Sequence, residues 1–301
     1  MDGPFPEFPP GDGMKARRPA GILILFLPLL LAGCPQKPSA PLPVPPEPLP
    51  RDDSPFKDVQ FIEGRDGREM ALVPAGVFPR GSKTRGGPDE RPVHPVRLEA
   101  FYIDLYEVTN EDYGRFVSER KYKKPDVMVF FDDVKLLEGP KQPVVGVNYM
   151  DAANYCLWAG KRLPTEAEWE KAAHGIVAMD WPWGPEFVEG NANVDGDEDG
   201  YRYTAPVGNF EKGRSPYGLY DVAGNVSEWV SDWYDPNYYR TGPITLPTGP
   251  DGPDVTDMKV YRGGSWNDRA PDSRSAKRYY ALPHRRDATV GIRCAMDGPE
   301  A

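Results

Sequence analysis

The sequence predicts a single α+β domain with a few short helices and many loops, set behind an export leader. Three observations predict it. Capped helical stretches fall near 111–120, 151–159 and 165–175. Short runs such as "FYIDLYEV" partly alternate apolar and polar residues, as strands with one buried face do. The chain also carries 36 prolines, 31 glycines, 16 tyrosines and 7 tryptophans. Loops that long need a core of large aromatic side chains to hold them.

The elements follow in order. "MALVPAGVFPRGS" (Met70 to Ser82) and "RPVHPVRLEAFYIDLYEVT" (Arg91 to Thr109) read as short strands. Thr109 and Asn110 cap a helix over 111–120. A second helix covers about 151–159, with Gly160 as its left-handed C-cap. In "LPTEAEWEKAAHG", Thr165 and Glu168 form a capping box and Gly175 ends the third helix. Beyond Ala178 regular patterns fade. Short strands are expected around "TAPVG", "KVYRGGSW" and "GIRCAM", with no internal repeat.

The 301 residues fit one large domain or two small ones. A net charge of −10 argues against a nucleic-acid binder, which would need a basic face. The three histidines, His94, His174 and His284, are too scattered for a histidine-rich metal site.

The N-terminus reads as an address. "MKARRPAGILILFLPLLLAGC" places Lys15, Arg17 and Arg18 before an apolar run from Ile22 to Leu31. That run suits a signal-peptide core and is short for a membrane span of ~20 residues. It ends in Leu31-Ala32-Gly33-Cys34, which resembles a bacterial lipobox with Cys34 as the lipidated residue. The alternative is a cytosolic protein with an odd apolar start. Translation from Met14 would explain why residues 1–13 lack an export pattern. The expected division is a signal peptide at 1–33, a lipidated cysteine and proline-rich linker at 34–57, and the folded domain at 58–298. The linker reads as a semi-rigid tether, or else as a PxxP ligand. The expected location is the bacterial cell envelope, lipid-anchored in the membrane through Cys34 on the periplasmic or surface side. Pro35 favours the outer membrane, by similarity to enteric sorting rules. Once Cys34 is assigned to lipid, Cys156 and Cys294 remain; one bridge between them is the simplest account and two buried thiols the other.

Two loops carry oxygen ligands. Asp195, Asp197 and Asp199 alternate before Gly200, as at the start of a calcium loop. The pattern departs from an EF-hand, since its twelfth position is Pro206, and an acidic solvated turn would look the same. "GLYDVAGNVSEWVSDWY" offers Asp221, Asn225 and Glu228 beside Gly224, or else is a turn entering an aromatic core.

With these residues in hand, the chain resembles the formylglycine-generating enzyme, or sulfatase-modifying factor, family. The matching stretches include "LVPAGVFPRGS", "FYIDLYEVTNEDYGRFV", "YCLWAGKRLPTEAEWEKAA", "WPWG", "YGLYDVAGNVSEWVSDWY", "YRGGSWND" and "GIRC", in the family's order over about three quarters of the chain. The resemblance implies an irregular α+β fold, distantly similar to C-type lectins. It implies two structural calcium sites. The first would use Asn193, the Val194 carbonyl, Asp199 and the Tyr201 carbonyl. The second would use Asp221, the carbonyls of Gly224 and Val226, and Glu228. Asp195 and Asp197 become bystanders. A family disulfide falls at Cys156 and Cys294.

The same resemblance exposes a departure. Oxygen-dependent members carry two copper-binding cysteines after Gly-Gly-Ser. The first position is Asp268 here, and no cysteine stands between Arg269 and Ser273. Carboxylate and hydroxyl do not replace thiolate toward Cu(I). No catalytic residue and no copper are therefore expected. Ser265, Trp266, Asp268, Arg269, Arg274 and Arg278 form a candidate pocket, its arginines binding an anion or pairing with local aspartates. A serine hydrolase would need a base near Ser265, and His284 is the only histidine nearby in sequence. The functional expectation is a non-catalytic binding or scaffold lipoprotein with an envelope protein partner. The alternative is an oxidoreductase of the formylglycine-generating type, or another redox maturation step.

Overall fold

Each longer helix starts where a short polar side chain satisfies the first free backbone amides. Thr109 opens α1 (Asn110–Arg120), Asn148 opens α2 (Tyr149–Trp158) and Thr165 opens α3 (Glu166–His174), each in a reciprocal capping box. Gly160 and Gly175 take positive φ just past α2 and α3, as expected. A computed structural model describes residues 48–49, 56–83, 85–126, 134–253 and 256–299, all within the compact unit Val44–Ala301. The apolar leader, Cys34 and most of the linker lie outside the described residues.

Eleven strands are described: β1 (Pro48–Leu49), β2 (Phe61–Glu63), β3 (Glu69–Val73), β4 (Gly76–Arg80), β5 (His94–Leu98), β6 (Phe101–Asp104), β7 (Ser227–Trp233), β8 (Lys259–Arg262), β9 (Tyr279–Ala281), β10 (Val290–Gly291) and β11 (Ala295–Asp297). A fourth helix, α4 (Tyr238–Thr241), is one turn long. One sheet runs β1-β2-β3-β6-β11, a second runs β10-β7-β8-β9, and β4 pairs with β5 alone. Pro48 and Leu49, expected within the spacer, instead pair with β2 as an edge strand, a place that tolerates proline.

One other expectation is corrected, and one is met in a divided form. "TAPVG" forms no strand, because its backbone bonds elsewhere. Thr204 O accepts from Gln142, Ala205 N donates to the Asn225 side chain, and Val207 N donates to Lys141 O. The short strands expected around "GIRCAM" are two and fall in different sheets: β10 lies parallel to β7, while β11 lies antiparallel to β6. Between them, Cys294 is disulfide-bonded to Cys156 of α2, 138 residues away in sequence.

The main core gathers Phe61, Phe78, Phe101, Trp169, Val230 and Val260; a second gathers Tyr113, Phe116, Tyr155, Trp229 and the disulfide. Helix α3 lies against β4, β7 and β8, and all nine of its residues are buried, its three glutamates, Lys171 and His174 included.

Candidate functional site

The first expected calcium loop is closed by Asp199. Its carboxylate accepts from Val194 N at 3.1 Å and Tyr201 N at 2.8 Å. Asn193 is fully buried; its Nδ2 donates to Tyr203 O at 2.8 Å and Asn225 Oδ1 at 3.1 Å. Its Oδ1 has no hydrogen-bond partner among the described residues. The second loop leans on the first, since Asn225 N donates to Asn193 O at 2.8 Å. Gly224 must be glycine: its φ is +80°, and a Cβ there would lie 2.1 Å from Asn193 O.

Charge in the second loop is out of balance. Asp221 Oδ2 accepts from Gly208 N at 2.7 Å, while Oδ1 is buried without a partner among the described residues. Burial pushes Asp221 up to about 6, against the Gly208 hydrogen bond and the charge of Arg293. Glu107, which sequence reading passed over, accepts from Asn225 Nδ2 at 2.6 Å and Val226 N at 3.0 Å. Burial, then Asp221 and Glu228, hold it well above the usual carboxylate range. Glu228 accepts from Trp169 Nε1 at 2.6 Å and twice from Arg293 Nε at 2.9 Å. Three buried carboxylates thus face one guanidinium.

A hard cation fits that arrangement. Asn193 Oδ1 and Asp221 Oδ1 are neutral and anionic oxygens of the kind calcium takes, buried and unsatisfied. Asn193, Val194, Asp199 and Tyr201 would hold one ion; Asp221, Gly224, Val226 and Glu228 would hold the other. Glu228 has less to offer than expected, because Arg293 and Trp169 occupy most of its lone pairs. Among the described residues no three His, Cys, Asp or Glu side chains converge on one point, so backbone carbonyls would have to complete either shell.

The segment after Gly263-Gly264 does not line one open cavity. Ser265 Oγ is buried and donates to Asp268 Oδ2 at 2.6 Å, not to a histidine. Trp266 is buried and donates from Nε1 to Ala288 O at 3.0 Å. Asp268 O accepts from Asp195 N at 2.9 Å, tying the turn to the acidic loop. The arginines go separate ways. Arg269 is exposed and pairs with Asp272. Arg274 forks Glu90 at 2.9 and 3.2 Å. Arg278 forks Glu166 at 2.7 and 3.0 Å. Two of the three thus pair with distant glutamates rather than local aspartates, and both are buried.

Glu166 is the centre of that packing. Arg80, Arg262 and Arg278 all reach its carboxylate within 2.9 Å, and Arg262 also reaches Glu170 at 2.6 Å. The sequence around Glu166 and Glu170 carries charge on every side of the helix, so no apolar stripe marks them as interior. Only the spacing of two glutamates at i and i+4 beside Trp169 hints at a shared face.

A family model for the sulfatase-modifying factor enzyme 1-like domain matches residues 56–298. The chain belongs to the sulfatase-modifying factor family. This domain is 38% identical over 244 residues to the serine/threonine-protein kinase pkn1 of Chlamydia pneumoniae, covering 76% of this chain but 38% of the kinase. The chain therefore spans well under half the length of that relative. It is 34% identical over 287 residues to the formylglycine-generating enzyme of Thermomonospora curvata, covering 76% of this chain and 93% of that enzyme. Among solved structures, PvdO from Pseudomonas aeruginosa matches with a TM-score of 0.67 and 30% identity, over 77% of this chain and 95% of that one. The single sulfatase-modifying factor domain and its α+β fold are thereby established.

Proposed function

We propose that this sulfatase-modifying factor domain is a calcium-braced recognition module, carried by an envelope lipoprotein, that makes no formylglycine. One observation carries the reading. The carboxylate of Asp268, which by the family resemblance stands where a first copper cysteine would be, is engaged by the Ser265 hydroxyl. The domain's two cysteines, Cys156 and Cys294, are joined to each other. No thiolate is left to hold Cu(I), and an acceptor-only carboxylate is the wrong donor for it.

Each neighbouring reading has its own support. Cys34 after an apolar run supports lipid anchoring in the bacterial envelope, with the outer membrane favoured by Pro35. The two unsatisfied buried oxygens support calcium. A protein partner follows from a fold kept intact without its redox donors.

The test is purification of the full chain from native membranes in mild detergent, with metal content and bound proteins measured on one sample. Stoichiometric calcium, a reproducible protein companion and no aldehyde on a Cys-x-Pro-x-Arg peptide are expected. Repeated isolation without a companion would count against recognition. The second reading is an oxidoreductase of the formylglycine-generating type, favoured by the extent of its match to the Thermomonospora enzyme. Stoichiometric copper or iron, with oxygen-dependent peptide conversion, would establish it instead.

A further inference from the structure

A basic hollow lies on this acidic chain. It is a shallow, open depression of about 450 Å³, lined by Ser82, Lys83, Arg91, Pro92, Val93 and Arg240. Three of those six residues are cationic and none is acidic, in a protein of net charge −10. Lys83 and Arg240 are exposed, and neither forms an ion pair among the described residues.

The two carboxylates that precede Arg91 in sequence are engaged elsewhere. Glu90 is forked by Arg274, and Asp89 accepts from the Tyr234 hydroxyl at 2.9 Å. Ser82 adds a second kind of observation. Its backbone is pinned by a 2.9 Å bond from its N–H to Glu90 O. The residue is 4% exposed, yet its hydroxyl has no partner among the described residues. A buried hydroxyl normally finds one, so this donor is placed for something the protein does not itself supply.

We propose that the hollow binds the phosphate group of a phosphorylated organic ligand. Guanidinium groups match phosphate oxygens two at a time, and a lysine adds a compact charge. A dianion answers the two exposed cations, Lys83 and Arg240, better than a carboxylate does. The Ser82 hydroxyl donates to a remaining phosphate oxygen. The organic substituent rests on Pro92 and Val93, with its far side left to solvent. The ligand's source is either a free phosphorylated metabolite or an anionic lipid headgroup.

Calorimetric titration of the full chain in neutral detergent decides the matter. The probes are glycerol 3-phosphate, short-chain dihexanoyl phosphatidylglycerol below its micelle concentration, and glycerol as the uncharged control. Binding of a phosphorylated probe, silence with glycerol and weakening with added salt are expected. The Lys83→Gln/Arg240→Gln variant should lose about tenfold in affinity with an unchanged melting curve, both side chains being exposed. Ser82→Ala should lose several-fold. Preference for glycerol 3-phosphate assigns a metabolite; preference for the lipid assigns a headgroup. No heat from either phosphorylated probe up to roughly 10 mM, or salt-insensitive binding, overturns the proposal. So does wild-type affinity in the double variant.

Discussion

Arg293 grips Glu228 through Nη2 at 2.8 Å and Nε at 2.9 Å, and the same arginine donates to Asp104 O and Tyr220 O. One buried side chain therefore joins β7, β6 and the loop that begins at Tyr220, immediately before the disulfide at Cys294. The loops of this domain are long, and their order comes from such buried polar ties as much as from sheets.

Glu166 is the tie whose loss should cost most. Glu166→Gln leaves Arg80, Arg262 and Arg278 short of a buried counter-charge. Breaking one partner of a buried pair costs about 3–5 kcal/mol. Urea unfolding at pH 7 should show a loss of that size, and a loss under 1 kcal/mol would mean water or another acid replaces the glutamate.

Asp232 makes stability fall as pH rises. Its Oδ2 accepts from Glu166 N at 2.8 Å, while burial and the charge of Glu166 push it up to about 6. A folded value above the unfolded one means the folded chain holds its proton more tightly. The resulting stabilisation is full below about pH 4 and is lost as pH rises through about 6. A shift of two units corresponds to roughly 3 kcal/mol. Asp232→Asn should flatten the difference in urea midpoint between pH 5 and pH 7.5; an unchanged slope would assign the titration to another group.

The disulfide closes a separation of 138 residues. Replacing Cys156 and Cys294 together by alanine should cost about 2–5 kcal/mol, mainly by freeing the unfolded chain. The measurement is denaturant unfolding of the variant beside the oxidised wild type. An equal midpoint would show that the core alone holds the C-terminal segment to α2.

Calcium removal should lower the melting temperature by several degrees, since an ion bound only by the folded state stabilises it. Asp221→Asn should weaken the response to a chelator, leaving only the part owed to the loop around Asn193 and Asp199. Gly224→Ala should do the same and destabilise the fold as well, because the new Cβ would strike Asn193 O. A wild-type melting curve indifferent to chelator and to added calcium would remove the metal from this account.

Much of this was legible in the chain. The caps at Thr109 and Thr165 and the glycines at 160 and 175 are local signals, complete within about four residues. Strand β7 was harder. Its residues Ser227 to Val230 are all buried, so no alternation marks the strand, and it reads only as an aromatic core segment. The arginines after Gly264 suggested one anion-binding wall; two of them run inward to glutamates more than a hundred residues earlier.

Sequence by itself determined the starts of α1 and α3, the family and the lack of any cysteine from 265 to 273, because each depends on residue identity at short range or on fixed order. Tertiary structure alone decided that α3 is buried on every side, that residues 290–297 divide between two sheets, and that Glu107 joins Asp221 and Glu228 around Arg293. Those facts concern which distant groups share a space with little water. Burial and charge balance there belong to the neighbours that surround a residue, and no local pattern encodes them.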